Sequence, residues 1–228
     1  MILRNWNNLP SQMKNEPMKA YYDYLKKKQI SLLFKFAFDR CLAAILLILL
    51  APLFLYIAYK ISKDSPGGIF FRQLRITQYG REFKIYKFRT MIANAESLGS
   101  QVTVDNDKRI TAIGEKLRKT RLDELPQLIN VLKGEMSFVG TRPEVPKYIA
   151  AYTAEMMATL LLPAGITSEA SIEYKDEDKL LSNAKDPDKE YIEKVLPEKM
   201  KWNLESIRKY SFSRDLLTMI KTVLAVIK

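Results

Sequence analysis

The residues best suited to chemistry are two adjacent carboxylates, Asp123 and Glu124, which closely follow the cations Arg118, Lys119 and Arg121. An ionised aspartate is a nucleophile toward phosphorus, and Mg²⁺ binds one or two carboxylates together with substrate phosphates. Neighbouring cations favour the ionised form of a carboxylate, and adjacent residues at a helix start diverge by about 100°. One carboxylate could therefore attack a phosphorus atom while the other holds a metal ion.

Asp123 also has a purely structural interpretation. The stretch RLDELPQLINVLKGEM predicts a helix with Pro126 in its first turn, Gly134 at its C′ position, and an apolar face at Leu125, Leu128, Ile129 and Leu132. Because the helix dipole favours a carboxylate at the helix start, Asp123 could be no more than an N-cap.

Cations from other segments could join the carboxylate pair. The runs IFFRQLRI and FKIYKFRT, separated by TQYGRE, predict a β-hairpin in which Lys87 and Arg89 share one face. The loop SFVGTRPEVP (residues 137–146) adds Arg142. Such side chains bind phosphoryl oxygens, arginine in a bidentate manner, although ordinary surface charges are the simpler explanation of Lys87 and Arg89.

The composition narrows the possible chemistry and partners. The chain has 228 residues, 37 Lys and Arg against 26 Asp and Glu, a formal charge of +11, no histidine and one cysteine. The lack of histidine excludes imidazole-based nucleophile systems and His-ligated zinc, and Cys41 cannot form an internal disulfide, which is typical of a reducing compartment. Most surplus cations lie in residues 1–150, and no zinc-finger, RNP-like or basic-zipper pattern is present. We therefore expect membrane lipid and phosphate ligands as partners and no nucleic acid.

The segment from Cys41 to Tyr59 carries no charge and is long enough to cross a bilayer as a helix. Both of its flanks are basic, so neither has the composition expected on the external side. Pro52 in its middle removes a backbone donor and predicts a kink. These features favour a bent helix that returns to the same face, but an ordinary transmembrane anchor stays open because spanning helices also contain prolines.

Two further segments could contact a membrane surface. Trp6 and YYDYLKKK (residues 21–28) combine aromatic and cationic residues, which suits either the headgroup region or a solvated tail. Near residue 228, one helical face is apolar and the other carries Arg214, Lys221 and Lys228. Such a helix lies on a membrane or, more commonly, packs on the protein's own core. Its apolar residues are Leu216, Leu217, Ile220, Val223, Leu224 and Ile227.

Together the patterns predict an α+β, mainly helical fold. GEKLRKT (residues 114–120) indicates a helix, PAGITSEASIEY (residues 163–174) a loop followed by a strand, and the chain from Lys179 onward mostly helix. We expect an N-terminal interfacial segment over residues 1–34 and a re-entrant membrane helix over residues 35–61. Residues 62–228 then form a small cytosolic catalytic domain that contains the hairpin and ends in an amphipathic helix.

Several extended motifs, in their order, resemble the bacterial sugar transferase family, the monotopic polyprenyl-phosphate phosphoglycosyl transferases. The resemblance covers roughly Lys35 to Thr167, in the motifs FDRCLAAILLILLAPLF, FFRQLRI, YKFRTM, DNDKRITAIGEKLRKTRLDELPQLINVLKGEMSFVGTRPE and PAGIT. It implies Mg²⁺-dependent transfer of a phospho-sugar from a UDP-sugar to a polyprenyl phosphate such as undecaprenyl phosphate, with release of UMP. It further implies a location at the cytoplasmic face of the bacterial inner membrane and a role in initiating polysaccharide or glycoconjugate assembly, with downstream glycosyltransferases as possible partners.

The resemblance also assigns roles to single residues. Asp123 matches the family's nucleophile, which attacks the β-phosphate to give a phosphoglycosyl-enzyme, and Glu124 matches its metal-associated glutamate, so both belong to the implied metal site. Lys87, Arg118 and Arg142 match positions expected to line the phosphate site. Arg89 remains a phosphate-binding candidate from its strand position alone.

The sequence departs from the family pattern at three places. Pro52 matches the break of the family's re-entrant helix, but the pair reads Ala51-Pro52 where many members have Ser-Pro. The common Gly-Pro-Arg-Pro-Glu loop reads GTRPE (residues 140–144), and a frequent Gly-Ile-Thr-Gly stretch reads GITS (residues 165–168). The identity of the donor sugar is therefore open.

Two functions of other kinds were also compatible with the sequence. A DxD-type nucleotide-sugar glycosyltransferase would use Asp105-Asn106-Asp107, Asp176-Glu177-Asp178 or Asp186-Pro187-Asp188, although 228 residues leave little room for a Rossmann-like donor domain. A non-catalytic membrane-surface scaffold would use the basic faces alone to hold anionic lipid or a partner.

Overall fold

The computed structural model describes residues 3–95, 107–174, 184 and 186–227. Within these ranges the protein is mainly helical, with two small β-sheets. The helices are α1 (Glu16–Lys27), α2 (Gln29–Leu49), α3 (Ala51–Asp64), α4 (Ala112–Lys119), α5 (Gln127–Leu132), α6 (Pro146–Ile149), α7 (Glu169–Glu173), α8 (Pro187–Glu190), α9 (Leu196–Arg208) and α10 (Phe212–Ile227). A π-helical turn, Tyr191–Val195, joins α8 to α9.

The predicted hairpin is confirmed. Strands β1 (Phe70–Ile76) and β2 (Glu82–Phe88) pair antiparallel, from Phe70 opposite Phe88 to Ile76 opposite Glu82. β2 ends one residue before Arg89, so the expected shared strand face of Lys87 and Arg89 does not form. Burial follows the alternation along β2, which turns Phe83 and Ile85 into the core.

A second sheet consists of the parallel strands β3 (Met136–Val139) and β4 (Ala164–Thr167). The sequence analysis assigned residues 137–139 to a loop, and this was wrong because they form most of a fully buried strand. Past β3 the chain continues alongside β4, where Gly140 N donates to Thr167 O (3.0 Å) and Gly165 N donates to Thr141 O (2.9 Å). The two glycines are in such close contact that a Cβ on either would overlap the backbone of the other.

The helix after the carboxylate pair is shorter than the sequence indicated. Residues 122–124 form a 3₁₀ turn, and α5 begins only at Gln127. Gly134 has a φ of 73°, as predicted for a C′ glycine. The predicted apolar face is partly wrong, because Leu132 is 43% exposed whereas Val131 is buried.

Many of the N-terminal residues pack in the largest buried cluster of the described part of the chain. Tyr21, Tyr22 and Leu25 of α1 are buried against the 3₁₀ turn Met156–Leu161 and against α9. The hydroxyl of Tyr24 donates to Tyr210 O at 3.0 Å. Both sequence interpretations of YYDYLKKK therefore missed that its tyrosines belong to the core, while its lysines Lys27 and Lys28 are exposed.

Helices α2 and α3 form a bent pair whose arms both pack on the globular body. Among the described residues, no single helix combines the length and apolar character needed to span a membrane, but α2 and α3 satisfy both conditions together, with a bend of 63°. The bend lies at Leu50, and Pro52 is in the first turn of α3, as the proline predicted. Ala43 on one arm and Ile57 and Ile61 on the other are buried in the body.

A buried ionic network fixes α2 to the rest of the protein. Lys35 Nζ lies 2.6 Å from Asp215 Oδ2 of α10 and 3.6 Å from Asp39 Oδ2. Ser137 at the start of β3 donates to Asp39 at 2.5 Å. Removing one partner of a buried pair leaves an uncompensated charge, so this network strongly constrains how α2, β3 and α10 meet.

Helix α10 turns the side that carries Asp215, Thr218 and Thr222 toward the protein and turns most of its apolar stripe outward. Asp215 and Thr218 are buried, and Thr222 Oγ1 lies 2.7 Å from Thr167 Oγ1 of β4. The expectation that the apolar stripe would pack on the protein's own core is therefore wrong for most of its described residues. Those exposed by 51 to 58% are Leu217, Ile220, Val223 and Leu224.

The Gly140–Gly165 contact provides a test of the fold. Gly165→Ala should lower the free energy of unfolding by about 1–3 kcal/mol, because the added methyl forces β4 away from Gly140. The matched control is Gly68→Ala, whose Cβ would meet its nearest atom at 3.9 Å. Denaturant unfolding of both variants measures the effect, and equal stabilities would contradict the close contact.

Candidate active site

Glu124 joins three distant segments of the chain. Its Oε1 accepts from Lys87 Nζ of β2 at 2.8 Å and from Arg142 Nη2 of the loop after β3 at 2.7 Å. The side chain of Glu124 is 11% exposed, that of Lys87 19% and that of Arg142 33%. The structure therefore brings together Asp123, Glu124, Lys87 and Arg142, which the sequence analysis proposed as site residues.

Asn130 fixes the distance between β2 and the carboxylate turn. This residue of α5 is fully buried, and its Oδ1 accepts from Tyr86 N at 2.9 Å while its Nδ2 donates to Lys84 O at 3.0 Å. The Nδ2 also donates to Glu135 Oε2 at 2.7 Å. One side chain thus occupies the free edge of β2 next to Lys87, where an adjacent strand would otherwise pair.

A left-handed residue turns the chain into the site. Arg121 has a φ of 56° and separates α4 from the 3₁₀ turn that carries Asp123 and Glu124. A non-glycine residue in this region costs about 1–2 kcal/mol. Such conformations cluster where function constrains the backbone, so the strain at Arg121 supports the assignment of this turn as the site.

Asp123 is buried and is not an N-cap. It is 6% exposed, its Oδ1 has no hydrogen-bond partner among the described residues, and the N-cap positions of its turn and of α5 belong to Arg121 and Pro126. Burial raises the pKa of Asp123 above its usual value, although Lys87 acts in the opposite direction. Oδ1 is therefore a buried acceptor that none of the described residues satisfies.

The pKa of Glu124 is shifted in the opposite direction from that of Asp123. Burial acts to raise its pKa, but the charges of Arg142 and Lys87 and their hydrogen bonds together hold the pKa well below the usual value. Burial also lowers the pKa of Lys87, and Glu124 partly offsets that effect. The sequence expectation that cations keep the pair ionised thus applies fully to Glu124, whereas burial opposes it at Asp123.

The remaining predicted cations occupy different places. Arg118 lies in the last turn of α4, and its charge acts on Asp123 by lowering its pKa, as does that of Arg121. The guanidinium of Arg89 is instead bound to the loop after α3, where Nη2 donates to Ser65 O at 2.9 Å and Nη1 to Ser65 Oγ at 2.8 Å. The structure therefore does not bring Arg89 together with Lys87.

The residues at the site can accommodate a divalent cation of the kind held partly by its substrate. No cluster of three or more acidic, cysteine or histidine residues exists in the described parts of the chain. Mg²⁺ needs only one or two carboxylates when phosphates and water complete its shell. The unpartnered Oδ1 of Asp123 and the second oxygen of Glu124 provide such a donor set.

The alternative DxD tripeptides receive no support at the one place where they can be inspected. Asp105, Asn106 and residues 176–178 lie outside the described residues. Asp186 caps α8 by accepting from Lys189 N at 3.1 Å, and Asp188 accepts from the Tyr148 hydroxyl at 2.5 Å. Both of these carboxylates are used in local structure.

Sequence reasoning missed the residues that hold the Arg142 loop. Arg75 Nη1 donates to Pro143 O at 3.1 Å, and the buried carboxylate of Glu144 accepts from the Tyr191 hydroxyl at 2.5 Å. Arg75 stands at an inward position of β1, where strand alternation could have identified it. No local pattern connects Glu144 with Tyr191, because the two are 47 residues apart.

Comparison with known proteins agrees with the family resemblance of the sequence motifs. A family model described as bacterial sugar transferase matches residues 30–228. The UDP-N-acetylgalactosamine-undecaprenyl-phosphate N-acetylgalactosaminephosphotransferase of Aeromonas hydrophila is 36% identical over 190 residues, 82% of this chain and 42% of that protein. The UDP-glucose:undecaprenyl-phosphate glucose-1-phosphate transferase of Escherichia coli (strain K12) is 34% identical over 216 residues, 93% of this chain and 44% of that protein.

A shorter relative matches over most of its length. The exopolysaccharide production protein ExoY of Rhizobium meliloti (strain 1021) is 30% identical over 207 residues, which are 84% of each chain. The present chain thus spans less than half the length of the first two relatives and most of the third.

The opposite titration of the two carboxylates predicts opposite effects on stability. The fold raises the pKa of Asp123 above the ordinary value of 3.8. The stability that this residue contributes is therefore complete below pH 3.8 and is lost as the pH rises through the raised pKa. Asp123→Asn should therefore raise the Tm at pH 7, by roughly 2–4 °C for each kcal/mol gained, and the gain should shrink toward pH 4. Thermal unfolding between pH 4 and pH 8 measures it.

Glu124→Gln is the matched comparison. The fold lowers the pKa of Glu124 below the ordinary value of 4.5. Glu124 therefore contributes stability that is complete above pH 4.5 and is lost as the pH falls through the lowered pKa. Glu124→Gln should accordingly have a lower Tm than the wild type at pH 7. Removal of the Glu124 charge leaves Lys87 and Arg142 without the carboxylate that pairs with both of them. If the Tm of both variants shifted in the same direction at pH 7, the opposite pKa shifts of Asp123 and Glu124 would be contradicted.

Proposed function

The chain belongs to the bacterial sugar transferase family, and we propose that it transfers a phospho-sugar from a UDP-sugar to undecaprenyl phosphate with release of UMP. The names of the relatives from Aeromonas hydrophila and Escherichia coli both specify undecaprenyl phosphate and a UDP-sugar. The observation that carries the proposal is the buried carboxylate of Asp123, whose Oδ1 has no partner among the described residues, beside Glu124, which is paired with Lys87 and Arg142.

In the first step a carboxylate oxygen of Asp123 attacks the β-phosphorus of the donor. A bond forms between that oxygen and phosphorus, the bond from phosphorus to the bridging oxygen breaks, and UMP leaves with the bonding electrons. In the second step an oxygen of undecaprenyl phosphate attacks the same phosphorus, and the carboxylate of Asp123 is regenerated. Neither step requires a general base, since each nucleophile is already an anion, which fits a chain without histidine.

The cations have separate tasks in this scheme. Arg142 is paired with Glu124 through Nη2, and its guanidinium also binds phosphoryl oxygens of the donor. Lys87 holds a positive charge next to the carboxylate turn, where it attracts the phosphate of the donor. Arg118 adds charge from the end of α4. Arg89 supports the backbone of the adjacent loop and acts on the phosphate site only indirectly.

Mg²⁺ is the metal that this donor set suits best. Asp123 and Glu124 would hold it together with oxygens of the donor diphosphate, and the ion would supply neutralisation of the phosphate charge. The ionic pairs at Glu124 Oε1 leave its other oxygen as the ligand atom.

The bent helix pair supports attachment to one face of a membrane. Both arms are anchored in the same globular body, which fits a pair whose two ends stay on one side of a membrane, and apolar residues are exposed on either side of the bend. The residues exposed there are Ile45, Ile48, Leu49, Leu55 and Tyr56. A re-entrant segment explains this surface, and the basic residues at both flanks then face cytoplasmic headgroups. We therefore place the protein at the cytoplasmic face of the inner membrane.

The outward apolar stripe of α10 provides further exposed apolar residues. Phe212 at its start packs against Phe34 and Phe38 of α2 with ring centroids 4.9 and 5.2 Å apart. Ile30, Leu33 and Phe34 of α2 are themselves exposed by 87, 51 and 59%. Burial of these residues at the membrane interface contributes about 25 cal/mol per Å² of apolar surface, and it presents the site to a lipid-linked acceptor. The product would then pass to downstream glycosyltransferases.

The catalytic proposal is tested by product identity and by one substitution. Incubation with a panel of UDP-sugars, undecaprenyl phosphate and Mg²⁺ should release UMP with at least one donor. Asp123→Asn should reduce that release by more than about a thousandfold, the scale of removing a nucleophile. Asp23→Asn, an exposed aspartate of α1 paired with Lys19, is the control and should keep full activity.

Mass spectrometry without the lipid acceptor tests the intermediate. A phospho-sugar should be found on the peptide containing Asp123, and chelation of Mg²⁺ should prevent its formation. Release of UDP instead of UMP, or full activity of Asp123→Asn, would reject the proposed reaction. Absence of nucleotide release with every donor would favour the scaffold alternative.

The membrane arrangement is tested by labelling. In a Cys41→Ser background, single cysteines at the exposed positions Lys28 and Lys63 flank the helix pair. A membrane-impermeant maleimide should label both in inverted vesicles and neither in right-side-out vesicles. Labelling from opposite sides would show a spanning segment and overturn the re-entrant model.

A further inference from the structure

A buried hydrogen-bond chain reaches the Arg142 loop from the helical part of the protein. Lys199 Nζ of α9 donates to the Tyr191 hydroxyl at 3.1 Å, and that hydroxyl donates to Glu144 Oε1 at 2.5 Å. Tyr191 is 2% exposed, Lys199 5% and Glu144 6%. A cation and a carboxylate, both almost completely removed from water, are thus connected through one phenol.

The π-helical turn makes this chain possible. In a continuous α-helix, residues 191 and 199 would be displaced by about 80° around the axis. A single π turn accommodates one extra residue, so the displacement becomes that of residues seven apart, about 20°, and the side chains share a face. The π turn begins at Tyr191 itself. Such turns occur frequently at functional sites.

Glu144 transmits this constraint to Arg142. Only Pro143 lies between the two residues, and proline fixes its own φ near −65°. The carbonyl of Pro143 accepts from Arg75 and that of Glu144 from Ile76 N at 2.9 Å, so the segment is also held to β1. The contact of the Glu144 side chain with Tyr191 adds a third attachment of this segment, two residues from Arg142.

We propose that Tyr191 and Lys199 are positioning residues for Arg142, which they keep in place against Glu124 through Glu144. The proposal rests on the function proposed above, in which Arg142 contacts the donor phosphate. The chain of contacts runs from α9 through the π turn and the loop to the carboxylate turn, so in this proposal Tyr191 and Lys199 act through other residues.

The energetics favour a positioning role over simple stabilisation. Replacing a buried ionic group by apolar residues of similar volume is often neutral or stabilising, so a core at this place does not require charge. Tyr191 already packs against Tyr148, with ring centroids 4.7 Å apart, and the ring alone would fill the space. The Tyr191 hydroxyl, Lys199 and Glu144 form directional hydrogen bonds, which an apolar contact cannot provide.

The first test is independent of enzyme activity. In Tyr191→Phe, hydrogen–deuterium exchange of the peptide covering residues 140–145 should be about tenfold faster, the change expected when a hydrogen bond to a charged group is lost. Tyr22→Phe is the matched control, because it removes another buried phenol that donates to Arg4 O at 3.0 Å, in the N-terminal cluster. It should leave exchange of residues 140–145 unchanged.

Glu144→Gln provides a second variant should Tyr191→Phe fold poorly, since it keeps the volume and an acceptor for Tyr191. It should also accelerate exchange in residues 140–145. Unchanged exchange there in the folded variants would overturn the proposal.

The second test is a double-mutant cycle on UMP release. Tyr191→Phe should lower kcat/KM about tenfold in the wild-type background and should have no further effect when Arg142→Ala is present, because it acts through Arg142. Effects that multiply would show that Tyr191 acts independently of Arg142, and the proposal would fall. If the wild-type protein releases no UMP, the proposed function fails, and the exchange experiment still decides whether the loop is positioned by Tyr191.

Discussion

The site depends on one carboxylate oxygen that two cations share. Glu124 Oε1 binds Lys87, which is 37 residues earlier, and Arg142, which is 18 residues later. Three largely buried charges of this kind are stable only as a set, since loss of one partner leaves the others uncompensated. The hairpin, the 3₁₀ turn and the loop after β3 must therefore all be in place before the site exists. Asn130 fixes β2 next to the carboxylate turn, and the Gly140–Gly165 contact fixes the start of the Arg142 loop against β4.

Asp123 differs from its neighbour because it is left out of this set. Asp123 is buried and the adjacent Glu124 is 11% exposed, yet Lys87 and Arg142 pair with Glu124, and Oδ1 of Asp123 has no partner among the described residues. The environments separate the two pKa values, lowering that of Glu124 and raising that of Asp123. Paired groups with divergent pKa values are a general sign of divided roles. A charge held permanently beside a carboxylate with unused acceptor capacity is the arrangement that a nucleophile next to a metal ligand requires.

The sequence was informative where local rules apply and less so where distant segments meet. Strand alternation predicted the hairpin, and Pro52 predicted the bend between α2 and α3. Motif order identified the family. Alternation could not show that β2 ends before Arg89, because the loop carbonyls at Ser65 recruit that guanidinium.

The outward stripe of α10 was missed for a similar reason. The buried partner of Asp215 is Lys35, which is 180 residues away and invisible to a local pattern. The inward tyrosines of α1 were missed because their neighbours lie in α9. These are long-range contacts, whose energy decides the fold although no periodicity records them.

The packing of α1 on the last third of the chain has a consequence for biosynthesis. Tyr24 bonds to Tyr210, a separation of 186 residues, so the N-terminal helix leaves the ribosome long before its core partner is made. Contacts of such range form late, after the cost of closing a long loop has been met. The apolar helix pair, which follows α1 directly, is consequently synthesised before the globular body that buries Ala43, Ile57 and Ile61 is complete. The chain must therefore protect this apolar segment from aggregation until its last third has been made.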